Sequence, residues 1–116
     1  MVKTKLVADE AIEEALEYLA TSSETAAAAR AARLRGEFER KRIRSRLILQ
    51  SNEKTMGMKE AWAECHPDYV DACEKELTAV EADEYYRNKR NACDAILEAW
   101  RTENANNRAG SSFKLM

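Results

Sequence analysis

Apolar residues recur along this chain at intervals of three and four almost from end to end, the spacing of one helical face. Ile12, Leu16 and Leu19 set it out between Ala8 and Thr21, where Asp9, Glu10, Glu13 and Glu14 favour the positive N-terminal end of a first helix. Ser22-Ser23-Glu24-Thr25 interrupts the pattern and offers a new N-cap, so a second helix is predicted over about 24–50. Ser51 to Gly57 reads as a polar turn. Met58 to Cys65 predicts a short helix around Trp62, and Pro67 fits the first turn of a third, long helix reaching Glu103. The reading is one helical domain over 1–103. Residues 104–116 have neither apolar period nor caps, which predicts a polar C-terminal tail that frays unless a partner orders it.

At 100° per residue, Ala27, Ala31, Leu34, Phe38 and Leu49 fall on one seam of the second helix. Arg30, Arg33, Glu37, Arg40 and Arg44 flank it on one side, and Arg35, Glu39, Arg42 and Arg46 on the other. On the third helix Tyr69, Val70, Cys73, Leu77 and Val80 form a seam flanked by Glu76 with Asp83 and by Glu74 with Glu81. Basic edges would meet acidic edges across a long antiparallel hairpin, the flanking-charge logic of a coiled coil. Exposed pairs contribute only about 0–1 kcal/mol each, so they specify pairing more than they stabilise it. Ile43 and Leu47 lie opposite the seam, and Tyr85, Tyr86, Ile96 and Trp100 on a face that swings round after Val80. These six are the predicted protein interface, for self-association or for a protein partner.

Composition supports helices and little else. In 116 residues there are three Gly and one Pro, while 34% are charged and 45% apolar, too little punctuation for sandwiches, barrels or repeated βα units. No apolar run approaches the ~20 residues of a membrane span. With no secretory h-region after Met1 and an odd set of three cysteines, the expected location is the cytoplasm. The net charge of −2 hides strong blocks. Residues 30–46 carry eight basic groups against Glu37 and Glu39, whereas residues 60–84 carry nine acids against Lys75.

Parts for catalysis are missing from the pattern. There is no glycine-rich phosphate loop, no GxSxG, no HExxH, and His66 is the single histidine. Cys65 adjoins it, but neighbours on a helix point about 100° apart and do not face each other. The expectation is therefore no enzyme and no cofactor. Glu60, Glu64, Asp68 and Asp71 are spaced at helical intervals and suit a hard cation in type, yet no glycine-centred loop holds them, so no metal is expected. Arg33, Arg40 and Arg44 are the candidate nucleic-acid contacts, since arginines on a rigid helix can meet phosphates without reading bases. Pairing with the acidic third helix already accounts for the same residues, since a charge run on a helix is usually a solvated or intramolecularly paired face.

Pro67-Asp68-Tyr69 and the run Ala99-Trp100-Arg101-Thr102-Glu103-Asn104-Ala105-Asn106-Asn107-Arg108 carry a resemblance. In these segments, and in its order of acidic helix, Ala/Arg-rich helix and polar turn, the chain resembles small all-helical proteins encoded by tailed phages and prophages among recombination and replication genes. The resemblance supplies no catalytic residue. It implies a non-enzymatic accessory protein of DNA recombination or replication, acting in the host cytoplasm through protein binding and weak single-stranded DNA binding. A counter-defence or host-takeover inhibitor docking on a bacterial nucleoprotein complex, or a purely structural oligomer subunit, fits the same residues.

Overall fold

Four α-helices follow one another: α1 (Asp9–Thr21), α2 (Ser23–Gln50), α3 (Met56–Cys65) and α4 (Pro67–Leu115). The computed structural model describes residues 7–115, the last five of them by their backbone alone. Each break between helices has a local cause. Ser22 closes α1 by donating its N–H to the carbonyl of Tyr18. Thr55 takes an extended conformation ahead of α3, and its Oγ1 accepts from the N–H of Met58 at 3.2 Å, satisfying a donor that the first turn leaves open. His66 alone separates α3 from α4. It is extended, its Nδ1 accepts from the N–H of Asp68 at 3.1 Å, and Pro67 at the first helical position has no N–H to satisfy.

The helix predicted to end at Glu103 does not end there. α4 continues through Asn104 to Leu115, 49 residues in all. No proline follows Pro67, and Gly110 avoids the positive φ with which glycine closes a helix, so the sequence offers no terminator in this stretch.

Two compact units form along these helices. The first, Thr25–Tyr86, is an antiparallel hairpin of α2 and the start of α4, with α3 at the bend. Ion pairs fix the direction: Arg33 meets Asp83 and Arg46 meets Asp68. Ala32, Gly36 and Ile43 of α2 line one groove with Ala72 and Ala79 of α4. Ala29, Leu47, Ala63, Ala72 and Asp83 are buried, and Leu47 is only 1% exposed.

This packing corrects the predicted seam. Ala29, Ala32, Gly36, Ile43 and Leu47, the face opposite it, are the residues that α2 turns inward. Leu34 and Phe38 are 59% and 68% exposed, and Leu49 is more exposed still. On α4, Val70 and Leu77 are likewise exposed. Leu47 therefore belongs to the hairpin's interior, and Ile43, half-buried, lines the groove between α2 and α4 on the side away from Leu34 and Phe38. The physical reason is closeness. The spacing of two helix axes follows the side chains between them, and Gly36 lets the backbone of Glu76 come so near that even a β-carbon would crowd it. Leucine and phenylalanine at that face would hold the helices apart.

The second unit comprises residues 7–24 and 87–115. Ile12 and Ala15 of α1 bury against Cys93 and Leu97 of α4, with Val7, Tyr18, Leu19 and Ile96 packed around them. Arg90 closes this contact by donating from Nη1 to the carbonyl of Leu19 at 3.1 Å and to the Oγ of buried Ser22 at 2.6 Å. Lys89 lies over the Tyr18 ring, 4.3 Å from its centre, a cation–π contact. The whole is an all-α protein on a helical hairpin, with a short N-terminal helix and a short helix at the bend, as the pattern of the chain predicts.

Candidate interaction surface

The basic run of α2 is engaged along one edge of the hairpin. Arg33 Nη1 donates to Glu84 at 2.8 Å and to Asp83 at 3.1 Å, and Arg40 donates to Glu76. Arg44 donates to Glu64 at 3.1 Å with Glu60 at 3.9 Å, and Arg46 to Asp68 at 3.1 Å. Hydrogen bonds to Glu84 and then Asp83 raise the guanidinium of Arg33 above its ordinary pKa, and those to Glu76 and then Tyr69 do the same for Arg40. The three arginines singled out as nucleic-acid contacts, Arg33, Arg40 and Arg44, thus all face carboxylates of α3 and α4. A phosphate reaching any of them would have to displace a carboxylate already in place.

One charged flank pairs as the sequence predicts, Arg33 and Arg40 meeting Asp83 and Glu76. The other does not. Arg42 reaches back to Glu39 on its own helix at 2.9 Å, and among the described residues Arg35, Glu74 and Glu81 have no ion-pair partner. Those charges border the outward apolar residues. Leu34 and Phe38 follow Ala27 and Ala31 down the far side of α2, between Arg30 and Lys41 on one flank and Arg35 and Arg42 on the other. On α4, Val70, Leu77 and Tyr85 are exposed, interleaved with Glu74 and Glu81. Sequence periodicity found both stripes but assigned them to each other within one chain.

The other predicted interface residues divide between the units. Tyr85 is exposed and stacks edge-on against half-buried Tyr86, ring centres 5.3 Å apart. Ile96 is half-buried against the Ile12–Leu97 cluster, and Trp100 remains partly exposed. Beside Ile96, residues Glu14, Glu17, Tyr18, Thr21 and Lys89 border an open groove of about 390 Å³. The Tyr18 hydroxyl is buried there without a hydrogen-bond partner.

Among the described residues the remaining chemistry does not converge. Cys65 is exposed, Cys73 half-buried and Cys93 buried, each as a free thiol. His66 directs Nδ1 into the cap of α4 and leans on Trp62, ring centres 5.3 Å apart, not on Cys65. The four carboxylates of the metal reading each face a cation: Glu60 and Glu64 face Arg44, Asp68 faces Arg46, and Asp71 faces Lys75 at 3.0 Å. No described helix is long and apolar enough to cross a membrane. Compared with protein-family models, with curated proteins and with solved structures, the chain matches none.

Proposed function

We propose that this chain is a non-enzymatic accessory protein that works by protein–protein contact through the outward face of its Thr25–Tyr86 hairpin. One observation carries the reading: Leu34 and Phe38, one turn apart on a long helix whose other face is already packed, are 59% and 68% exposed. Large apolar groups arranged at helical spacing on a rigid element are what a partner helix docks onto. The arginines that would serve nucleic acid are held by carboxylates, which favours protein over single-stranded DNA as the ligand. The resemblance of its segments to phage accessory proteins is what points the reading toward a partner in recombination or replication assemblies.

A photo-cross-linking residue at position 38, compared in producing cells with one at exposed Asn52, tests the reading. Protein adducts are expected from position 38 and not from 52. Equal labelling from both, or none from 38, overturns it. Titrating labelled single-stranded DNA at low and moderate salt gives the complementary result, with no saturable binding expected. Tight, strongly salt-dependent binding would move the function to nucleic acid.

A further inference from the structure

From the two outward stripes of the hairpin we infer that the occupant of the α2 face is a second copy of this chain, presenting its α4 face. The inference goes beyond protein contact in general by naming the partner. Three observations converge. The α2 stripe is apolar with basic borders and the α4 stripe is apolar with acidic members, so each is the electrostatic complement of the other. The bordering charges Arg35, Glu74 and Glu81, like Arg30, have no ion-pair partner among the described residues, although most charges of the hairpin have one. The spacing also matches. If the two helices are laid side by side in opposite directions with Arg35 level with Glu81, the same register sets Arg42 against Glu74 and Ala31 against Tyr85 and brings Phe38 beside Leu77, with both charge pairs on one side of the seam.

The pairing cannot be made within one hairpin, because Leu34 and Phe38 lie on the side of α2 opposite the one that packs on α4. It must join two copies. Since the face used on one copy differs from the face used on the next, the contact is heterologous: each added copy presents a fresh α2 stripe at one end and a fresh α4 stripe at the other. Pairing of α2 with α2 would instead set arginines against arginines.

Purified protein and four variants in a sedimentation series test this directly. The wild-type mass should rise with concentration past that of a dimer, and fall back as salt is raised from low to about 0.5 M, since the bordering pairs are exposed and screened. Phe38→Ser should hold the protein at 13.2 kDa. So should Arg35→Glu with Arg42→Glu, and so should Glu74→Lys with Glu81→Lys. Mixing these two charge-reversed proteins should restore association, as should all four reversals in one chain. Because every substituted residue is exposed and the one ion pair lost, Arg42 with Glu39, is a surface pair, helicity and melting should stay close to wild-type values at low concentration. A wild-type monomer at 100 μM, reversed variants that associate like wild type, or a mixture that stays monomeric would each overturn the inference. A wild-type monomer together with cross-links from position 38 to other proteins would leave the general protein-contact reading standing, so the two failures are distinguishable.

Discussion

Gly36 of α2 lies against the Cα of Glu76 on α4, where a β-carbon at position 36 would stand 3.2 Å from it. The contact explains why the hairpin packs on its small residues. It also makes the position sensitive to volume in a graded way. Gly36→Ala gains about 1 kcal/mol of helix propensity but requires the Glu76 backbone to yield by a few tenths of an ångström, so the two effects nearly cancel. Gly36→Leu has no such offset and should destabilise by about 1–3 kcal/mol, the usual cost of overpacking. Denaturant unfolding distinguishes the cases: alanine within about 1 kcal/mol of wild type, leucine well below it. A leucine variant as stable as wild type would mean the helices are not in close contact here.

Asp83 is the carboxylate most completely withdrawn from water in the hairpin, its side chain 5% exposed, and Arg33 is its cation at 3.1 Å. Removing only the arginine leaves a buried charge with less compensation, which costs more than removing both partners. Arg33→Ala should therefore lower the melting temperature clearly, and adding Asp83→Ala should recover part of the loss. Arg35→Ala, on the flank without partners, should leave melting unchanged. Equal effects of Arg33→Ala and Arg35→Ala would contradict the placement of the two flanks.

Much of the fold is legible before any coordinates. The interruption at Ser22, the turn after Gln50 and the helix start at Pro67 each rest on capping chemistry that acts within a few residues, and local chemistry is what a sequence displays. The face that α2 turns inward is a different matter. Its apolar residues occupy two opposite sides, and ranking them by size points to Leu34 and Phe38. The hairpin instead follows closeness of approach, for which Ala29, Ala32 and Gly36 serve better than leucine. Their three- and four-residue spacing is visible in the chain, but nothing local says that a glycine's missing side chain will be filled by Glu76. The same reason reverses which large residues face outward: Leu47 is buried and Ile43 half-buried on the packed side of α2, whereas the leucine and phenylalanine that size assigns to the interior form the outward stripe. The polar stretch after Glu103 carries no periodic face, so hydropathy gave no ground for a helix that simply meets no terminator.

His66 holds the entry to α4 through one bond, its Nδ1 accepting from the N–H of Asp68 at 3.1 Å. A side chain in this position needs an acceptor and little else. His66→Ala should cost about 1 kcal/mol, whereas His66→Ser and His66→Asp should remain near wild type because either oxygen can take the same N–H. Chemical denaturation of the three variants checks this. If alanine and serine lose the same amount, the imidazole matters through its contact with Trp62 and not as a cap.

Arg90 bears on the other unit. It donates to the Leu19 carbonyl in the last turn of α1, where the helix dipole is negative and a cation is favoured, and to the hydroxyl of buried Ser22. The cluster of Ile12, Ala15, Cys93 and Leu97 is small, so α1 has little apolar area to hold it in place and depends more than usual on this polar clasp. Hydrogen bonds to a charged group contribute about 1.5–3 kcal/mol when a buried partner would otherwise be left open. Arg90→Met keeps much of the apolar stem and removes the donors. The expected result is amide exchange across Ile12–Thr21 faster by roughly ten- to a hundredfold, while amides of Ala29–Leu47, in the hairpin, exchange as in wild type. Arg90→Lys should recover little, because one ammonium does not reproduce the planar donor geometry that spans the two oxygens. Unchanged exchange across α1 in Arg90→Met would mean that the apolar cluster alone fixes the helix, and that Ser22 finds its partner elsewhere.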